Sequence, residues 1–160
     1  MQLQKKITPC LWFDGKAEEA AKFYVSVFKN AKITNTMYYG DAGPGPKGSV
    51  LTVTFEIDGQ EFVGLNGGPH YSFTPAVSFF IPCDTQEEVD HYWEKLLAGG
   101  KPMACGWLSD KYGLSWQVVP RMLPILLQDK DQAKSRRVME AMMKMIKLDI
   151  ATLQRAADAA

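Results

Sequence analysis

Side chains able to do metal or nucleophilic chemistry are few in this chain. It has two histidines, His70 and His91, and three cysteines, Cys10, Cys83 and Cys105, with no CxxC spacing. Divalent transition metals want several imidazole, thiolate or carboxylate donors. An odd set of unpaired cysteines suits reduced thiols, most simply small buried hydrophobes. His91 lies one position off the apolar stripe of its helix and reads as a solvated surface residue. His70 follows Gly67-Gly68-Pro69 near an expected pocket mouth and is a candidate ligand contact. That Gly-Gly-Pro run reads as a plain turn rather than a phosphate loop, because Pro69 lacks an amide donor and no GxGxxG or GxxxxGK[ST] spelling follows.

Carboxylates offer a second possibility. Residues 50–57 alternate apolar Leu51, Val53, Phe55 and Ile57 with Thr52, Thr54 and Glu56, and Asp58-Gly59 is a two-residue hairpin signal leading into residues 60–66. The implied register sets Phe55 opposite Phe62, Val53 opposite Gly64 and Glu56 opposite Glu61. Adjacent carboxylates on one face are unfavourable unless solvated or holding a cation; if buried, one could act as a base with a raised pKa. Asp110 and Lys111, in GWLSDKYGLSW, could fix a substrate charge or simply stabilise a turn with Gly113.

The elements that must position these groups occur twice. A strand-like run at residues 7–13 precedes an amphipathic stretch at 16–28, with Ala17, Ala20, Ala21, Tyr24, Val27 and Phe28 at helical spacing and Asp14 as the expected N-cap. Strands at 32–39, 50–57 and 60–66 follow, the first two separated by the Gly- and Pro-rich GDAGPGPKG. A strand at 76–82 and a helix at 85–97 then repeat the pattern. This second helix opens on the capping box Thr85-Gln86-Glu87-Glu88, carries the stripe Val89, Trp93, Leu96 and Leu97, and ends at Gly99-Gly100. Strands near 104–108 and 114–119 complete the second unit. Beyond Pro120 the strands stop, and Val138, Ala141, Met142, Met145 and Leu148 mark a helix followed by a shorter one starting at Asp149. The methionines clustered there (139, 142, 143, 145) suit either ordinary packing or a plastic apolar surface.

One domain of 160 residues, 46% hydrophobic, is expected, with module one at about 5–67, module two at about 75–120 and a helical tail at about 121–160. Eighteen basic residues balance eighteen acidic ones, so the composition suggests no nucleic acid and no membrane partner. No apolar run approaches the roughly 20 residues of a membrane helix, and MQLQKKITPC lacks the core of a secretion signal, so a cytoplasmic location is expected.

The segments ITPCLWFDGKAEEAAKFY, GLNGG, AVSFFIPCD and ACGWLSDKYGLSWQVVP, together with the tail RRVMEAMMKMIKLDIATL, resemble the PhnB-like family of the vicinal oxygen chelate superfamily. That family is often labelled 3-demethylubiquinone-9 3-methyltransferase. The resemblance implies an α+β fold of two paired βαβββ modules forming a cupped mixed sheet, as in glyoxalase, plus the helical tail. It also implies relatives among glyoxalase I, extradiol dioxygenases and bleomycin resistance proteins, and commonly a homodimer. Metal-using members take ligands from the first and fourth strands of each module. Those positions fall here on Pro9, Gly64, Ser78 and Gln117, of which only Gln117 could coordinate well. No metal and no cofactor are therefore expected.

Strand parity then proposes a lining for the cup. Gln117 brings Ser115 and Val119 to its face, Ser78 brings Ala76 and Phe80, and Gly64 brings Phe62 and Asn66, with Phe55 and Val53 opposite. The expected ligand-binding set is Phe55, Phe62, Asn66, Ser78, Phe80, Ser115, Gln117 and His70, suited to a small, partly apolar organic molecule. Each polar member could equally be a satisfied core group. The leading expectation is a metal-independent binding protein or enzyme. The alternative is a metal-dependent lyase, isomerase or dioxygenase of the glyoxalase type. The methyltransferase of the family label is a poorer fit, since no glycine-rich strand-to-helix turn with an acidic ribose partner is present.

Overall fold

The structure is a computed structural model that describes residues 1–159. It is α+β and divides into two compact units, Met1–Ser72 and the remainder from Phe73. In the first unit β1 (Cys10–Phe13), α1 (Ala17–Val27), β2 (Ala31–Tyr38), β3 (Val50–Ile57) and β4 (Gln60–Asn66) form a four-stranded sheet in the order β1-β4-β3-β2 with one helix. β1 runs parallel to β4 and the remaining pairs are antiparallel. The second unit repeats this with β5 (Ser78–Cys83), α2 (Gln86–Leu97), β6 (Lys101–Pro102), β7 (Trp107–Ser109) and β8 (Ser115–Pro120), ordered β5-β8-β7-β6. Both units are therefore βαβββ. They also share a detail at the strand ends: Gly67 N–H donates to Phe13 O at 3.0 Å, and Arg121 N–H donates to Cys83 O at 2.8 Å.

The hairpin register is the one implied by the sequence. Phe55 pairs with Phe62, Val53 with Gly64 and Glu56 with Glu61. Asp58 and Gly59 turn the chain with φ of 47° and 78°, the doubly positive pattern that matches strand twist in a two-residue loop. In β2 the register shifts between Ile33 and Asn35, so Ile33 pairs with Phe55 while Asn35 pairs with Thr54. The bulge places Asn35 on the face carrying Thr54 and Glu56.

α1 buries Ala17, Ala20, Ala21, Tyr24 and Val27 against the first sheet. Three small residues let the helix approach closely. A Cβ added to Gly64 would sit 3.3 Å from Ala17 Cβ, so the missing side chain at 64 answers the helix passing above it. Asp14 is not the N-cap. Lys16 holds that position without a side-chain capping bond, and Asn66 on β4 instead accepts from Ala17 N–H at 2.8 Å. The second helix is capped from within, as its sequence implies: Thr85 accepts from Glu88 N–H at 3.2 Å, and the Glu88 carboxylate accepts from Asp84 N–H at 2.7 Å.

The C-terminal segment adds α3 (Met122–Leu127), α4 (Gln132–Met142) and α5 (Ile150–Asp158). α3 has no counterpart in the sequence reading, and α4 ends earlier than the stripe through Leu148 implies. The chain leaves the helix because Met145 O and Ile146 O accept from Cys105 N–H and Gly106 N–H, at 2.9 and 2.8 Å. Leu148 then joins Val119, Leu123, Val138, Leu153 and Ala157 in a buried cluster. Gln86 on α2 fastens this segment on either side of Asp149, donating to Leu148 O at 3.2 Å and accepting from Ile150 N–H at 2.8 Å. Asp149 caps α5 as expected, accepting from Thr152 N–H at 2.7 Å. Among the described residues, no helix is long and apolar enough to cross a membrane.

Candidate functional site

Each sheet has one face under α1 or α2; the other face of the second sheet is free of α2 but meets the C-terminal helices at Val119. In the second unit the alternation along β5 buries Ile81 and Cys83 and leaves Phe80 50% exposed. Leu108, Trp116 and Val118 are buried on the same side as Ile81, the side that receives Val89, Trp93 and Leu96 of α2. The opposite face carries Ser78, Phe80, Ser115, Gln117 and Trp107. Register aligns Phe80, Gln117 and Trp107 in one cross-strand row, and Ser78, Ser115 and Ser109 in the next. Gln117 Nε2 donates to Ser78 Oγ at 2.9 Å. Ser115 is fully buried and its Oγ has no hydrogen-bond partner. Four members of the expected set are thus brought together here, and Trp107 extends their row although the parity argument did not include it.

In the first unit the outcome differs. Phe55 and Phe62 stack at 5.3 Å between ring centroids, and Phe55 lies 6.0 Å from the Tyr24 ring of α1. Both lie on the helix face with Gly64, whose absent side chain faces Ala17. Counting from the family pattern placed this face inward; a helix crossing at Gly64 reverses it. Asn66 is engaged three times: it caps α1, its Nδ2 donates to Val50 O at 3.0 Å, and its backbone carbonyl accepts from the Tyr39 hydroxyl at 2.8 Å. Asn66 and exposed His70 nevertheless share the wall of a cavity of about 530 Å³ with Glu18 and Tyr39. Gly67 is small for a local reason, since a side chain there would collide with the Trp12 indole, whose N–H donates to Gly68 O at 2.8 Å. This favours the turn reading of Gly67-Gly68-Pro69.

The helix-free face of the first sheet holds Thr52, Thr54, Glu56, Glu61 and the bulged Asn35. Thr52 and Thr54 are 8% and 2% exposed, and neither hydroxyl has a hydrogen-bond partner, nor does Asn35 Nδ2. Native structures leave few such groups unpaired. Asn35, Thr54, Glu56 and Glu61 line a second cavity, of about 430 Å³. Sequence reasoning singled out only the two carboxylates there. The bulge that turns Asn35 onto this face has no signal in the sequence.

The remaining candidates are structural. Asp110, 3% exposed, accepts from Tyr112 N–H at 2.8 Å, Leu114 N–H at 3.1 Å and the Trp116 indole at 2.9 Å, and so builds its turn. Burial, with help from Glu88 and Asp84, pushes the Cys83 thiol up to about 12, which leaves it inert at neutral pH. His91 meets the Tyr92 ring edge-on at 5.1 Å. Among the described residues, no group of three or more His, Cys, Asp or Glu side chains is placed to hold a metal ion.

Two open four-stranded sheets of identical connectivity, each with one helix, define a glyoxalase-like fold. The family model for 3-demethylubiquinone-9 3-methyltransferase matches residues 5–119. A PhnB protein from Bacillus cereus is 41% identical over 71% of this chain and 97% of its own, with a TM-score of 0.65. Protein PA1353 from Pseudomonas aeruginosa shares the fold at 17% identity and a TM-score of 0.59, over 71% of this chain and 95% of its own. No curated protein matches. The chain belongs to the PhnB-like, 3-demethylubiquinone-9 3-methyltransferase family.

Proposed function

We propose that this PhnB-like protein binds a small, uncharged, partly apolar organic molecule on the face of the second sheet away from α2, without a divalent metal. The observation that carries this reading is the row Phe80–Gln117–Trp107. Gln117 gives its Nε2 to Ser78, which fixes the amide and presents Oε1 as an acceptor between two aromatic side chains. A half-exposed Phe ring and an indole supply apolar contact, and the amide supplies orientation, the usual division of labour in small-molecule sites. The neutral lining suits an uncharged ligand, because an ion would lose hydration here without gaining a partner.

The reading is tested by thermal shift with benzamide, a flat amide that can stack and donate to Gln117 Oε1. Benzamide is expected to raise the melting temperature of the native chain. Gln117→Ala should weaken binding roughly threefold to tenfold, the loss of one neutral hydrogen bond. Binding that is equal in Gln117→Ala and Phe80→Ala chains would overturn the reading, as would about one tightly held transition metal per purified chain.

A further inference from the structure

We propose that residues 143–149, the non-helical strap between α4 and α5, regulate the second-sheet site: docking of the strap sets the turn that carries Trp107, so strap docking and ligand binding strengthen each other. The inference rests on the reading of the Phe80–Gln117–Trp107 row as that site, but the strap's hold on the turn is read without any ligand.

Trp107 follows a turn whose backbone depends on support from outside. Cys105 and Gly106 are successive left-handed residues, with φ of 59° and 83°. A residue with a Cβ seldom holds that conformation unless its surroundings impose it. Within the turn Trp107 N–H donates to Ala104 O at 3.2 Å. The shorter bonds come from the strap, which accepts from Cys105 N–H at Met145 O, 2.9 Å, and from Gly106 N–H at Ile146 O, 2.8 Å. Gly106 is also gripped from both sides. A Cβ there would lie 2.8 Å from Val118 O of β8 and 2.9 Å from Leu148 Cδ1 of the strap, and Gly106 O accepts from Val118 N–H at 2.8 Å. The turn therefore keeps its shape while Leu148 is seated. Trp107 comes next in the chain, and its pairing with Gln117 places it in the row.

The strap itself is held by few groups, none of them a member of the row. Leu148 is fully buried, and Gln86 of α2 bonds Leu148 O and Ile150 N–H. Lys147 Nζ meets Asp90 Oδ1 of α2 at 2.6 Å, with the two side chains 39% and 40% exposed. Met143 and Ile146 are left to solvent. A segment seated by one buried side chain and a few surface bonds opens at lower cost than the sheet beside it. Once it opens, Cys105 and Gly106 lose the acceptors for their N–H groups, the left-handed pair relaxes, and Trp107 leaves the row. Only the docked form presents the complete row, so apparent affinity follows the docked fraction, and a bound ligand favours docking in return.

The test is nuclear magnetic resonance of the labelled intact chain, native and Gln86→Ala, with and without benzamide. Gln86→Ala removes the bonds to Leu148 O, Ile150 N–H and Asp90 but no group of the turn or the row. Amide exchange at Cys105 and Gly106 should quicken roughly tenfold or more, as loss of neutral hydrogen bonds allows. The Trp107 indole N–H signal should shift, and the benzamide dissociation constant should rise roughly twofold to fivefold as the docked fraction falls. Saturating benzamide should slow exchange of the same two amides in the native chain. Lys147→Met drops the Asp90 pair, should act in the same direction by less, and serves if Gln86→Ala folds poorly. A merely structural role would lower the melting temperature and leave the indole signal and the affinity of the folded chain unchanged. Native indole position and native exchange in both variants would overturn the proposal, as would faster exchange with unchanged benzamide affinity. No benzamide binding to the native chain would overturn the coupling together with the site reading, while shifted indole and exchange signals would still establish the strap's hold on the turn.

Discussion

Replacing Asn66 by alanine should destabilise the first unit without any ligand being involved. The side chain performs two tasks that alanine cannot: Oδ1 accepts from Ala17 N–H at the start of α1, and Nδ2 donates to Val50 O at the start of β3. Loss of a helix cap costs about 1 kcal/mol. A half-buried carbonyl left without its donor adds about 1 kcal/mol. The sum, about 2 kcal/mol, corresponds to a fall in melting temperature of roughly 4–8 °C for a chain of this size. Asn66→Asp retains the oxygen at the helix N-terminus, where negative charge is favourable, but loses the donor to Val50; it should recover about half of the loss. Urea denaturation followed by circular dichroism measures all three proteins. An Asn66→Ala midpoint within experimental error of the native chain would refute the assignment of Asn66 as the cap of α1.

Three further outcomes follow from the same geometry. Asp110→Asn turns an amide N–H₂ toward the Trp116 indole or toward the N–H groups of Tyr112 and Leu114, and should cost about 2–3 kcal/mol by urea denaturation. Cys83, 1% exposed, should resist a disulfide reagent that labels exposed Cys10 in the native chain, and should react on unfolding. Its folded value of about 12 lies above the ordinary range of a thiol, so the native state keeps a proton that the unfolded chain releases. Stability should therefore fall between about pH 9 and 12, by at most about 1.4 kcal/mol per pH unit, and Cys83→Ala should flatten that slope. Lys147, and then Gln86, hold the Asp90 carboxyl below its ordinary value, and hydrogen bonds from Thr152 do the same for Asp149. Stabilisation from lowered carboxylates is present above about pH 4 and is lost as pH falls through the folded values, so methyl signals of Leu148 and Leu153 should leave their native positions on acidification through that range.

Period-two alternation, the Asp58-Gly59 turn and the duplicated strand-helix order made both βαβββ units and the β3–β4 register legible in the sequence, because each depends on local chemistry. Which face of a sheet the helix covers is a different kind of fact. In the second unit the exposed Phe80 and buried Ile81 agree with the parity argument, while in the first unit Gly64 proved to mark the helix crossing. The capping of α1 was hidden because its donor and acceptor stand 49 residues apart. The β2 bulge was hidden as well, since an extra residue in Ile33-Thr34-Asn35 leaves no compositional trace, yet it decides that Asn35 joins Thr54. The early end of α4 similarly reflects a long-range contact, the pairing of residues 145 and 146 with 105 and 106.

The central claim, a neutral binding site on the face of the second sheet away from α2, is tested most directly by chemical-shift mapping of the labelled protein titrated with benzamide. The largest changes are predicted at the Gln117 side-chain amide, the Trp107 indole N–H and the Phe80 ring. Largest changes at residues remote from that row, or none at millimolar benzamide, would contradict the account.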